Sequence, residues 1–211
     1  MAHSASGDLA GWITESGLTG VAETDLLRGF CERVVAAGIP VIRGVVIVDT
    51  LHPIYEGRVF RWFRDPSELS AMFEYGRVEE DESVARRWRQ SPFHHLIETG
   101  RSFVRRHLAA GEEPVFPSVE DLREAGHTDY LAMMQRFGGA GMIGDMDCVS
   151  SSWSTDAPGG FTEAQCKAVV EICARAPGDD APVTAADMQA MRDFAVEVAR
   201  TGSVPKKPSL F

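Results

Sequence analysis

The chain has 211 residues, 44% of them apolar and 25% charged, and its 21 basic and 31 acidic side chains leave a net charge of −10. A chain of this length can bury about 70% of the area its extended form exposes, so one domain can build a core without metal or disulfide staples. The composition excludes wholesale disorder, and the acidic balance, with pI ≈ 5.1, turns the average surface away from nucleic-acid phosphates and anionic membranes.

Residues 1–11 read as a flexible N-terminus, and residues 1–7 lack the basic-then-apolar order of a signal peptide. Leu27, Phe30, Cys31, Val34 and Val35 recur at helical spacing. A helix is therefore expected from Thr24, with Thr24 and Asp25 as its cap, to the stop signal Gly38 and Pro40. The β-branched run 40–49 predicts a buried strand. The run Ile39–Val48 is interrupted by Pro40, Arg43 and Gly44, and falls short of the ~20 residues a bilayer span needs. A second strand over Arg58–Arg64 puts Phe60 and Trp62 on one face with Arg61 pointing away, paired antiparallel to the first across a loop.

Residues 79–89 are densely charged and read as exposed. Ser91 and Pro92 start a short helix that Gly100 ends. A strand follows around Phe103–Leu108, then a helix over 118–125 capped at Ser118 and closed by Gly126. Strands over 130–137 and 147–155 are joined by the Gly138–Gly141 turn. A helix from Phe161–Thr162 to Ala176 carries Cys166, Val169, Val170 and Cys173 on one stripe. Pro177–Pro182 breaks it, Thr184 caps a last helix in 177–201 with Met188, Met191, Ala195 and Val198 on one stripe, and 202–211 is a loose tail. Helices gathered at the ends around a run of mainly antiparallel strands predict an α+β architecture in one domain, residues 12–176.

Motifs for chemistry are sparse. No GxSxG elbow is present, and Gly138–Gly141 lacks the Lys-Ser/Thr of a phosphate loop. The four cysteines form no CxxC pair and read as buried thiols, with Cys148 the one thiol in a region able to line a pocket. None of the six histidines has metal-ligand spacing, although a single one would suffice for a haem. Thr128-Asp129-Tyr130 opens a strand and Trp153-Ser154-Thr155-Asp156 closes one; aromatic rings and a carboxylate at strand ends suit the rim of a small-molecule pocket.

Ordered blocks across residues 12–175 resemble the N-terminal, GAF-like sensory region of bacterial class III adenylate cyclases. These blocks are Gly17-Leu18-Thr19-Gly20, Leu26–Arg33, Ala36–Pro40, Thr50-Leu51-His52-Pro53, Phe60-Arg61-Trp62, Ser91-Pro92-Phe93, Arg105-Arg106, Thr128-Asp129-Tyr130, and Ser152–Asp156 with Pro158–Phe161. The resemblance implies a central antiparallel sheet flanked by N- and C-terminal helices, with a small-molecule pocket on one sheet face. A cyclase catalytic domain after the sensor is not expected within a sequence ending at Phe211, so cyclase activity is not carried over.

The resulting expectation is a non-enzymatic, cytoplasmic small-molecule sensor in signal transduction, with Trp88, His94, Asp129, Tyr130 and Trp153 lining the ligand site. No motif names a cofactor. The expected partners are a small ligand, a second copy through the terminal helices and a separately encoded effector, with neither nucleic acid nor membrane. Two competing expectations remain: a thiol-dependent reductase using Cys148, and a haem or gas sensor.

Overall fold

The structure, a computed structural model, describes residues 9, 11–13, 15–50, 55–68, 71–76, 82–110, 116–136 and 148–174. The expected glycine turn 138–141, the C-terminal helix within 177–201 and the tail 202–211 lie outside the described residues.

Helix α1 (Glu23–Ala36) buries Leu27, Phe30, Cys31 and Val34 at three- and four-residue spacing. Its N-cap is Ala22 rather than Thr24. Asp25, expected in the cap, lies inside the first turn and pairs with Arg28 at 2.9 Å. Gly38 follows at φ +86°, a left-handed conformation that glycine adopts without strain. Strands β1 (Arg43–Asp49) and β2 (Gly57–Phe63) then pair antiparallel, Val46 opposite Phe60. Strand β3 (Ala71–Tyr75) and helix α2 (Glu82–Arg89) are additions to the expected list.

Helix α3 (Pro92–Thr99) has the expected ends: Ser91 Oγ accepts the His94 amide at 3.1 Å, and Gly100 closes it at φ +67°. Strand β4 (Phe103–Arg106) leads into a 3₁₀ turn (Leu108–Ala110) and helix α4 (Pro117–Glu124). Phe116, not Ser118, is the N-cap of α4, because Pro117 already occupies the first helical turn. Strands β5 (Asp129–Arg136) and β6 (Cys148–Thr155) complete the sheet. Helix α5 (Glu163–Ala174) opens with a capping box: the Gln165 amide donates to Thr162 Oγ1 at 3.2 Å and the Thr162 amide to Gln165 Oε1 at 2.9 Å.

The architecture is α+β. Six strands lie in the order β3-β2-β1-β6-β5-β4, and every neighbouring pair is antiparallel. Two three-stranded meanders are thereby joined at the centre through β1 and β6, while the chain between them, bearing α2 and α3, passes from one edge of the sheet to the other. Side chains alternate across a strand, so register sorts every residue onto one of two faces.

The first face carries Phe60, Trp62, Leu131, Met133 and Trp153 and packs against α1 and α5 through Leu27, Phe30, Cys31, Val34, Phe161, Cys166, Val169 and Ile172. The second carries Val104, Tyr130, Ala132 and Met134 and packs against Phe93 and Leu96 of α3, Val119 of α4 and Phe116. With both faces covered, six successive residues of β5, Asp129 to Met134, are buried. Among the described residues no helix is long and apolar enough to cross a membrane.

Candidate functional site

At one end of the first face lies a polar lock. Asp129 is completely buried, yet its carboxylate accepts from Arg105 Nη2 at 2.7 Å, Arg105 Nε at 3.1 Å, and the amides of Tyr130 at 2.9 Å and Phe161 at 3.0 Å. Arg105 Nη2 also donates to the Phe161 carbonyl at 2.5 Å, and Nη1 meets Glu163 at 2.5 Å. The Asp129 pairing holds the Arg105 guanidinium more firmly protonated than usual. The lock closes because Gly160, at φ +77°, lets the backbone approach: a Cβ there would sit 2.5 Å from Asp129 Oδ2. Every acceptor position is taken, so the cluster ties β4, β5 and the start of α5 together and has no capacity left for a ligand.

The second face is different. Arg43, Ser154 and Tyr130 stand abreast on β1, β6 and β5, and the next row is Arg61, Val45, Ser152 and Ala132. Ser150 lies one step further along β6, so this strand sets three buried hydroxyls on the same face. Burial pushes the Tyr130 phenol up to about 12, against the pull of neighbouring Ser152 and Arg43. Ser154 Oγ meets His127 Nδ1 at 2.9 Å. Burial, helped by Arg43, holds His127 below its ordinary value of 6.5.

Arg43 and Arg61 are both half-buried, and neither has a carboxylate partner among the described residues. Burial lowers the proton affinity of Arg43, Tyr130 pulls it back up in part, and repulsion from Arg61 lowers it further. The Arg61 guanidinium lies over the Phe73 ring at 4.2 Å, and its Nε is buried without a hydrogen-bond partner. Asp49, at the far end of the face, receives the Tyr75 hydroxyl at 2.8 Å. In a protein of net charge −10, this sheet face gathers guanidinium and hydroxyl donors.

The five residues expected to line one pocket do not share one face. Tyr130 stands on the second face, and Trp88 and His94 lie on the helices of that side, their rings edge to face at 6.1 Å. His94 Nδ1 is buried and 3.5 Å from the Glu98 carboxylate without hydrogen-bond geometry. Trp153 belongs to the opposite face, packed against Phe30 with ring centroids 5.2 Å apart, and Asp129 is engaged in the lock. Residues at consecutive positions of one strand point to opposite sides, which separates Asp129 from Tyr130 and Trp153 from its serine neighbours. Arg43, Arg61, Ser150, Ser152, Ser154 and His127 were missed. Their signal was available in an arginine interrupting a β-branched strand and in the serine run before Trp153.

The thiols divide the same way. Burial raises Cys31, lifts Cys166 to about 11 and Cys173 to about 12, which disfavours the nucleophilic thiolate at all three. Cys148 is half-buried on the second face. Among the described residues no group of three His, Cys, Asp or Glu side chains could hold a metal ion.

No protein-family model matches the chain, and no curated protein matches it.

Proposed function

We propose that this chain is a non-enzymatic, GAF-like sensor module of the cytoplasm that binds a small molecule on the second sheet face, beside α2 and α3. One observation carries the reading. The two faces of a single sheet are built differently: the first is mainly apolar around a saturated polar lock, with the Trp153 indole Nε1 buried without a hydrogen-bond partner, and the second sets half-buried arginines, with no carboxylate partner among the described residues, above buried serines. Buried polar groups and unpaired charge cost stability and are not needed to close a core. Their concentration on one face marks a surface kept for another molecule.

Trp88 and His94 stand on the chain that crosses from β3 to β4, so occupancy of this face would bear on α2 and α3 and pass outward as a helix shift. A second copy joined through the terminal segments, where the sequence spaces Met188, Met191, Ala195 and Val198 three and four residues apart, is the proposed dimer partner, and a separate effector the proposed recipient of the signal. Sedimentation at micromolar concentration tests the dimer, and a monomer removes that part.

Native mass spectrometry of protein expressed without supplements tests the sensor reading. A bound small molecule that leaves on denaturation is the expected result; only the bare 23.0 kDa chain, with no compound raising the melting point in a metabolite screen, contradicts it. A thiol reductase is the second reading, favoured by the position of Cys148 on the polar face away from the three core-facing thiols. Methionine sulfoxide reduction lost in Cys148→Ser and kept in Cys166→Ser would replace the sensor by the enzyme.

A further inference from the structure

We infer that the ligand of this face is a small oxyanion-bearing molecule, a carboxylate or a phosphate compound, anchored by Arg43 with Arg61 as the second cationic contact over a floor of Ser150, Ser152 and Tyr130. The inference rests on the sensor reading and sharpens it from an unspecified small molecule to a charge class.

Among the described residues no carboxylate pairs with either Arg43 or Arg61 on this face. Register puts Arg43 and Arg61 on one side of β1 and β2, two residues out of step, so they are diagonal neighbours. They repel one another, and the titratable groups that act on Arg43 are Arg61, His127 and Tyr130, the last two neutral near pH 7. Arg106 stands in the Arg43 row on β4, its guanidinium 5.3 Å from the Phe116 ring and donating to the Arg105 carbonyl at 2.9 Å. Asp156 is engaged with Arg64 at 2.9 Å, Asp49 with Tyr75, and Asp129, on the other face, with Arg105.

A guanidinium presents a planar fork of donors matched to two oxygens of a carboxylate or phosphate, and no neutral ligand group uses both its charge and its geometry. The Arg61 guanidinium is held over the Phe73 ring by a cation–π contact, and its buried Nε leaves one donor without a partner among the described residues. An oxyanion seated between the two arginines relieves their repulsion and accepts that donor. A neutral or cationic ligand leaves both penalties in place.

Thermal unfolding and calorimetric titration with inorganic phosphate and with succinate, at constant ionic strength against sodium chloride, test this; glycerol is the neutral control. The expected result is saturable stabilisation of the wild type by one oxyanion, which also tells phosphate from carboxylate. Affinity should fall at least tenfold in Arg43→Gln, fall less in Arg61→Gln, and stay unchanged in Arg28→Gln, whose charge lies exposed on α1. A second readout is the ligand-free melting point of Arg43→Met and Arg61→Met. It should equal or exceed that of the wild type, because removing one of two repelling, unpaired charges relieves strain rather than breaking a pair. Absence of oxyanion binding above the salt control, or equal affinity in wild type and Arg43→Gln, overturns the inference. So does a lower melting point in both methionine variants. If a neutral molecule instead co-purifies and binds wild type and Arg43→Gln alike, the sensor reading survives and the oxyanion is wrong.

Discussion

Asp129 and Arg43 show how differently two polar side chains can be used on one sheet. Asp129 is fully buried and saturated with donors, so Asp129→Asn removes the charge opposite Arg105 and sets a donor amide where one acceptor oxygen stood, leaving fewer acceptors than the converging donors require. Breaking a buried pair from one side costs about 3–5 kcal/mol, and the expected outcome is a melting point lower by roughly 6–20 °C at about 2–4 °C per kcal/mol. Gly160→Ala should act in the same direction by about 1–3 kcal/mol, since it combines a left-handed φ with a Cβ against Asp129. His127 supplies a pH signature. Its pKa in the folded chain lies below the ordinary 6.5, so the unfolded chain binds the extra proton first on acidification. The stability it contributes is complete above pH 6.5 and is lost as pH falls below that value towards the folded pKa. Denaturant unfolding between pH 7.5 and 5 should show this slope, and His127→Asn should flatten it. Singling out Asp129, Tyr130 and Trp153 was possible from the sequence; their separation onto two faces was not, because residue type does not reveal strand parity when both faces are buried. The paired arginines were invisible for a related reason, since Arg43 and Arg61 meet only through the β1–β2 register.

At the level of elements, legibility followed the strength of local signals. Helix α3 was plain because Ser91, Pro92 and Gly100 are position-specific chemistry, and α1 because its apolar stripe is long. Strand β3 has only five residues, with Met72 and Phe73 left 43% and 44% exposed at the sheet edge, so it lacks an alternating pattern. Helix α2 buries Ala85 alone and otherwise reads as charge. Both belong to the connection that flanks the polar face, and that side of the sheet was therefore the least legible part. Helix α3 is the element whose docking matters most there, through Phe93 and the fully buried Leu96. Leu96→Ala should destabilise by about 2–5 kcal/mol, at the upper end if the cavity fails to collapse. Ser91→Ala should cost only about 0.5–2 kcal/mol through the lost cap. Urea unfolding of the two variants orders them; equal costs would mean that α3 is held by its ends rather than by its packing.

The described residues join two antiparallel meanders into one open sheet whose two faces differ in make-up. The face against α1 and α5 closes the core, and the face beside α2 and α3 carries two arginines that have no carboxylate partner among the described residues. Net charge gave no hint of this, because −10 is an average over a surface that hides two half-buried arginines. The α+β class followed from the order of helices and strands, whereas the pairing of β1 with β6, on which the polar rows depend, is a long-range contact that no local pattern encodes. Arginine Nε–H resonances, followed by nuclear magnetic resonance as inorganic phosphate or succinate is titrated at constant ionic strength, test this division most directly. The Arg43 and Arg61 signals should move together and saturate, while that of Arg105, already bonded to Asp129, stays fixed. Unmoved Arg43 and Arg61 signals with both anions, or a saturable shift confined to Arg105, would contradict the division of the sheet into a core face and a ligand face.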